Sequence, residues 1–201
     1  MSYNNEFKYY YWGHCLTRFK LDDTLCKELL KRGNLLKEDA RPDLAGHIQK
    51  ELRYTTDDIE WFLPKFMPVL SDYTGFMKKY YNKDVNVGFT LKDLWINYMK
   101  NGEFNPIHVH SQDLSFVIYL QVPEKLKIEN KNYKGTDSAG PGGIKFLNGM
   151  NNNVFDITEV PVFPEENDCY IFPASLHHMV HPFKSDCERV SVSGNIEFIG
   201  R

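Results

Sequence analysis

The sequence of 201 residues is poor in cysteine and has no long apolar run. Its four cysteines, Cys15, Cys26, Cys169 and Cys187, stand far apart and form no C-x-x-C pair. That spacing signals neither a zinc knuckle nor a disulfide scaffold and points to reduced thiols. No stretch approaches the roughly 20 apolar residues that span a bilayer. The opening residues Met1 to Glu6 lack the basic run and apolar core of a signal peptide. These absences lead to the expectation of a cytoplasmic protein without membrane association. An excess of one charge is also missing, since 24 basic and 27 acidic residues leave a net charge of −3. No basic field advertises nucleic acid as a partner. There is no internal repeat and no low-complexity tract.

Hydrophobic residues make up 42% and charged residues 25%, which suits a globular chain with a sizeable core. The length fits a single domain over 1–201, with an N-terminal strand and helices over 1–90 and a core over 91–201. Residues 7–21 read as a strand, with Phe7-Lys-Tyr-Tyr-Tyr-Trp12 at its start and Gly13 as a break. The spacing predicts a helix over 22–32, capped by Asp22 or Asp23 and stopped at Gly33. A short amphipathic piece is expected over 44–53. A second helix should open at Thr55 and end near Tyr81, with Pro64 marking a kink or a late start.

From about residue 86 the hydrophobic period changes to two. Strands are expected at 94–100, 107–110, 114–122, 144–147, 154–160, 168–173, 178–183 and 188–199. Turn signals such as Asn101-Gly102, Gly140-Pro-Gly-Gly143 and Asn151-Asn-Asn153 separate them. The polar, glycine-rich stretch 124–143 reads as a long loop, either a lid or disordered. Short strands without intervening helices give a mainly β fold with flanking helices. The class is a double-stranded β-helix, or jelly roll, braced by N-terminal α-helices.

Two motifs carry chemistry. Asn105-Pro-Ile-His-Val-His110 holds two histidines two residues apart, and Phe172-Pro-Ala-Ser-Leu-His-His-Met-Val-His-Pro182 holds three more. Residues i and i+2 of a strand share a face, so His108 and His110 can aim at one point. His178 can meet them from another strand as a third metal ligand. Imidazole suits iron, zinc, copper or nickel, so the ligands alone leave the metal open. Arg189 follows eleven residues after His178, and its planar fork could clamp a carboxylate. Ser191 and Ser193 share its face. The other reading of Arg189 is a surface residue paired with Glu188 or Asp186. His177 reads as a turn residue, His181 as facing the opposite way, and His14 and His47 as structural.

The run Tyr98 to Gly102, then His108-Val-His110, then Phe116 to Leu120, with His178-Met-Val-His-Pro182 and Arg189-Val-Ser191, resembles the iron(II) and 2-oxoglutarate-dependent oxygenases. The likeness covers about 94–199 and is greatest to their prolyl-hydroxylase-like branch and its small bacterial and phage relatives. It implies iron(II) as metal, 2-oxoglutarate as small-molecule cosubstrate, and hydroxylation of a substrate that the sequence does not name. It further implies His108, His110 and His178 as catalytic metal ligands. Arg189 and Ser191 would bind the distal carboxylate of 2-oxoglutarate, and Tyr98 and Tyr119 would add phenols to it.

The chain departs from the family at one point. Where the family has H-x-D or H-x-E, this sequence has His108-Val-His110. A neutral third ligand leaves the site one unit more positive. Asp113 could replace it if 110–114 were bulged, so the third ligand is His110 by parity or Asp113 by ligand type. Three ordinary imidazoles would release metal below about pH 6.5. Two other readings stand beside the oxygenase: a cupin-like metal dioxygenase without cosubstrate, which has no need of a buried Arg189, and a non-catalytic jelly-roll binding module, which predicts scattered histidines.

Overall fold

The computed structural model describes residues 13–135, 138–149 and 157–200. Two antiparallel sheets face each other, and helices cover the outside of the larger one. The elements in chain order are β1 (Thr17–Lys20), α1 (Asp23–Gly33), β2 (Glu51–Arg53), α2 (Thr56–Tyr81), β3 (Gly88–Met99), β4 (Asn105–His108) and β5 (Leu114–Gln121). There follow α3 (Glu124–Asn132), β6 (Ile144–Leu147), β7 (Glu159–Val162), β8 (Asp168–Pro173), β9 (His177–Val180) and β10 (Arg189–Ile199). The larger sheet runs β1-β8-β5-β10-β3-β2 and the smaller β4-β9-β6-β7. This is the expected jelly roll.

Local chemistry accounts for the two long helices. The Asp22 carboxylate accepts the Thr24 N–H at 2.9 Å and the Leu25 N–H at 3.2 Å, satisfying donors that the first turn of α1 leaves free. Thr55 and Asp58 cap α2 reciprocally, each side chain accepting the other's backbone N–H at 3.2 Å. Helix α2 is continuous through Pro64, where a kink or late start was expected, and through Pro68. Both prolines are exposed, as is Glu60 one turn before Pro64. The carbonyls they leave unbonded therefore meet water, and the buried face keeps Phe62, Phe66, Leu70 and Tyr73 in one stripe.

Strand alternation divides the interior in two. Leu94, Ile96 and Tyr98 of β3, Phe116 and Ile118 of β5, and Val190 and Val192 of β10 pack outward against Leu29 of α1 and the α2 stripe. Met99, Val117, Tyr119, Phe146, Phe172 and Val180 fill the space between the sheets. Tilted ring contacts tie the outer layer together, with Phe66 and Phe116 centroids 4.7 Å apart.

Three expectations need correction. The amphipathic piece expected over 44–53 is regular only at its end; a short 3-10 turn at Arg41–Asp43 precedes it, and the edge strand β2 closes it. The stretch 124–143 is not a bare loop, because it opens with α3. That helix is highly charged and buries only Leu126, so its period is faint. The first strand is confined to Thr17–Lys20 among the described residues. The aromatic run Phe7–Trp12, the turn Asn151–Asn153 and the start of the strand expected from residue 154 lie outside the described residues. No described helix is long and apolar enough to cross a membrane.

Gly194 marks where β10 touches its neighbours most closely. A Cβ there would stand 2.5 Å from the Phe116 ring and 2.7 Å from the Asp93 carbonyl, which is backbone and cannot swing away. Gly194→Ala is expected to destabilise the protein by roughly 1–3 kcal/mol, the usual range for overpacking a core. Urea unfolding of the two proteins side by side measures it; an unchanged midpoint would mean that β10 has room to shift.

Candidate functional site

The short ladder between β4 and β9 builds the histidine cluster. Its register sets His108 directly opposite His178. His110 lies two residues further on, held by its own N–H to the Ala174 carbonyl at 2.9 Å. Ile107 and Val109 alternate with the histidines and face solvent, as period two requires. Ring centroids are 4.2 Å apart for His108 and His178, 5.1 Å for His108 and His110, and 5.2 Å for His110 and His178. One ligand nitrogen from each ring lies within 4.8 Å of the others. With metal–imidazole bonds of about 2 Å, that spacing suits a shared ion.

Backbone carbonyls orient two of the rings. His108 Nδ1 sits 2.7 Å from the Pro106 carbonyl, and His178 Nδ1 sits 2.9 Å from the Leu176 carbonyl. A carbonyl can only accept, so the proton is on Nδ1 and the Nε2 lone pair is left for a metal. Burial also keeps the rings neutral. It lowers His108, pushes His110 down to about 4 and His178 down to about 3, with charge on His108 adding to the last two.

Asp113 does not join this cluster. Its carboxylate accepts the Phe198 N–H at 2.7 Å, and its backbone bonds to Ile196 and Ala174. These bonds tie it to the far end of β10, beside an apolar groove on the other side of the sheet. His177, read as a turn residue, is instead the exposed first residue of β9, and His47 stacks on Phe104 at 4.7 Å, as befits a structural residue.

Arg189 is 2% exposed and is no surface residue. Its Nη1 donates to the Gly142 carbonyl at 2.6 Å, while its Nε has no partner. No carboxylate among the described residues neutralises it. Burial lowers its pKa from the ordinary guanidinium value. The guanidinium lies 5.3 Å from the centre of the Tyr119 ring. Tyr119 is fully buried, its hydroxyl is unpartnered, and burial pushes its pKa up to about 12, so it stays a neutral donor. Arg189, Tyr119, Ser191 and Ser193 line one cavity together with His108, His110 and His178.

Tyr98 does not reach this cavity. It points to the helix side, where its hydroxyl donates to Asn34 at 2.8 Å and Lys50 covers its ring at 3.7 Å. Its position differs by one residue in parity from Asn97, and that single step sends it to the other face of β3. Asn97 takes the place instead. It lies opposite Ser191 in the ladder, donates to Ser193 Oγ at 3.3 Å, and leaves its own Oδ1 unpartnered. Sequence reasoning missed Asn97 and Trp95, which lines the same cavity. The available signal was a lone asparagine within the otherwise hydrophobic stretch 94–99 of β3. A wider cleft of about 430 Å³ adjoins His110 and Trp95, and it opens between Arg53, Asp93 and Gln112.

The geometry matches known proteins. Residues 93–195, about half of the chain, match the family described as "Putative 2OG-Fe(II) oxygenase". No curated protein gives a significant sequence match. Among solved structures, the viral collagen prolyl hydroxylase vCPH from Paramecium Bursaria Chlorella virus-1, determined as its 2OG complex, is 12% identical with a TM-score of 0.54; the match covers 90% of this chain and 94% of that one. A prolyl-4-hydroxylase from Pseudomonas putida is 16% identical with a TM-score of 0.55, over 93% of this chain and 94% of that one. HygX from Streptomyces hygroscopicus, solved with nickel, 2-oxoglutarate and hygromycin B bound, is 9% identical with a TM-score of 0.58, over 92% and 82% of the respective chains. At these identities the likeness is one of fold. With the match over 93–195, the chain belongs to the 2OG-Fe(II) oxygenase family, and it is an iron(II)- and 2-oxoglutarate-dependent oxygenase.

Proposed function

We propose that His108, His110 and His178 hold the iron, and that Arg189, with Ser191 and Tyr119, holds the distal carboxylate of 2-oxoglutarate in a hydroxylase. The observation that carries this reading is Arg189, a buried guanidinium without a carboxylate partner in the cavity that the three imidazoles enter. A buried cation of this kind costs several kcal/mol unless an anion meets it. The unpartnered Arg189 Nε and Tyr119 hydroxyl are both donors that a carboxylate can accept from. The prolyl hydroxylases among the structural neighbours support hydroxylation as the outcome. The four widely spaced cysteines, read as reduced thiols, support a cytoplasmic setting, and the shared sheet supports one domain over 1–201.

Iron and cosubstrate, when bound, supply the oxidation: O2 is reduced, 2-oxoglutarate loses CO2 and becomes succinate, and a substrate C–H gains one oxygen. The protein supplies position and dryness. Arg189 and Tyr119 donate to the distal carboxylate. Ser191 lies two residues from Arg189 on the same face and adds a hydroxyl. The Pro106 and Leu176 carbonyls keep His108 and His178 turned inward. Val117 and Phe172 wall the cavity against water. His110 puts a neutral ring where the family has a carboxylate, which would leave the metal and its ligands one unit more positive. The cupin-like reading without cosubstrate gives no role to a buried Arg189.

Three measurements check this reading. His110→Ala is expected to lose most iron(II) affinity, whereas Asp113→Ala keeps it; anaerobic titration of both variants decides between the two ligands, and retention in His110→Ala would exclude His110. Arg189→Ala is expected to weaken 2-oxoglutarate by roughly 2–5 kcal/mol, the cost of truncating one partner of a buried charge pair. Its iron affinity should stay near wild type, and calorimetry reads both. The third concerns pH. A proton competes with the metal for the same nitrogen, so lowering a ring's pKa weakens that competition. Three imidazoles at about 6.5 would cost roughly 60-fold in apparent affinity between pH 8 and pH 6. With His110 near 4, His178 near 3 and His108 lowered, the loss is expected to stay below about tenfold and to set in only as pH falls further.

A further inference from the structure

A second buried charge lies on the other side of the histidine cluster, and the oxygenase chemistry does not use it. Glu51 on β2 is 1% exposed, and its Oε2 has no hydrogen-bond partner. Asn105, at the start of β4, has an Oδ1 that is buried and likewise without a partner. Both side chains line one cavity of about 110 Å³ together with Trp95, His108 and His110. The two orphan acceptors lie close together around Gly46. A Cβ at that glycine would stand 2.3 Å from Asn105 Oδ1, and 3.1 and 3.3 Å from the two Glu51 oxygens.

The neighbouring charges do not answer Glu51. Arg41 is held by Asp39, with Nη2 to Oδ2 at 2.6 Å. Arg53 is shared between Asp43 at 2.6 Å and Asp93 at 3.2 Å. Both arginines are thus engaged by other carboxylates, Arg53 by Glu38 as well at 3.4 Å, and Glu51 has no cation in contact among the described residues, Arg41 acting on it only from a distance. Burial, with the charge on Glu103 adding to it, pushes its pKa up to about 7. A buried carboxylate beside an orphan amide oxygen is a receptor for a group that brings positive charge and several N–H donors. Trp95 lines this cavity, the wider cleft and the histidine cavity, and its ring can cover an alkyl chain or the cation itself.

We propose that Glu51 and Asn105 form the subsite that recognises a protonated amine of the substrate and so sets the substrate class of the oxygenase. This rests on the metal and cosubstrate reading given above. The amine enters the small cavity past Trp95, its alkyl chain passes His108 and His110, and the rest of the molecule occupies the wider cleft. The reaction at the iron is the family's own, with the oxygen inserted into a C–H bond of that alkyl chain. Glu51 and Asn105 are binding residues that exchange no proton with the reacting carbon.

The test is anaerobic calorimetry on protein loaded with iron(II) and 2-oxoglutarate. Loading is measured first: if iron and 2-oxoglutarate do not bind the wild-type protein, the oxygenase site itself is misassigned and the substrate proposal falls with it. The probes are cadaverine, the tripeptide Gly-Lys-Gly and its neutral counterpart Gly-norleucine-Gly. Cadaverine binding alone identifies a small amine as the source, and Gly-Lys-Gly binding a lysine side chain; either supports the subsite. Glu51→Gln and Gly46→Ala are expected to weaken the bound amine at least tenfold, the first by removing charge and the second by filling the space between the acceptors. Metal and 2-oxoglutarate affinities serve as the control for folding and should be unchanged in both. Glu51→Gln should also raise the Tm of the amine-free protein at pH 8, since it removes an uncompensated buried charge. Failure of both amines to bind a properly loaded protein, equal affinity for the norleucine peptide, or unchanged amine affinity in Glu51→Gln would overturn the proposal. A lowered Tm with unchanged amine binding would make Glu51 a structural acceptor for the Asn105 amide.

Discussion

The alternation of β10 is the constraint on which both the core and the site depend. Val190 and Val192 face the helices, while Arg189, Ser191 and Ser193 face the space between the sheets. One strand thus carries an apolar stripe and a polar stripe, and neither can change sides without the other. A slip of one residue would push a guanidinium into the Phe62–Phe66–Phe116 layer and two valines into the polar cavity. Helices α1 and α2 decide which stripe faces which way, because they need an apolar surface to cover. The site is therefore held in place by packing on the opposite side of its own sheet. Gly194 belongs to this arrangement, since its missing side chain lets Phe116 close over the strand.

The interior is unusual in the charge it tolerates. Arg189 and Glu51 are both buried, neither has an ion partner among the described residues, and the three histidines lie between them along the cavities. Other buried polar groups are paired: Ser115 donates to Asn195 at 2.8 Å, and Asp168 is met by Arg18 and Lys20. Leaving two opposite charges unpaired in a core of ordinary composition costs stability. The cost is concentrated where ligands of opposite charge would sit, and binding would relieve it. The three histidines, kept neutral by burial, add no charge of their own to that setting.

Much of the site was legible from spacing. His108 and His110 at i and i+2, His178 on a later strand, and Arg189 with Ser191 on one face follow from the two-residue period of a strand, which is local and needs no partner. The caps at Asp22 and Thr55 were readable for the same reason, since a cap bonds only to the next three residues. What spacing cannot supply is the direction in which a face points. Tyr98 and Asn97 are neighbours on one strand, and only the packing of α1 against β3 makes Asn97 the one that enters the cavity. Asp113 has a ligand's chemistry, but bonds to the end of β10 turn it outward.

The sequence by itself determined the fold class, the family and the set of residues able to share a face, because period, capping and motif spacing are written over a few positions. The tertiary structure alone decided that His110 rather than Asp113 lies with the other two histidines, that Asn97 rather than Tyr98 enters the cavity, that helix α3 forms and that Glu51 is buried. Helix α3 has a faint period of its own and is secured by distant bonds from the Lys184 and Ser185 backbone to Glu129. Glu51 lies on an edge strand of three residues, too short to show alternation, and it reaches the site only because β2 pairs with β3 opposite Asn97. Contacts between residues tens of positions apart have no local signature, and these contacts set the chemistry around the histidines.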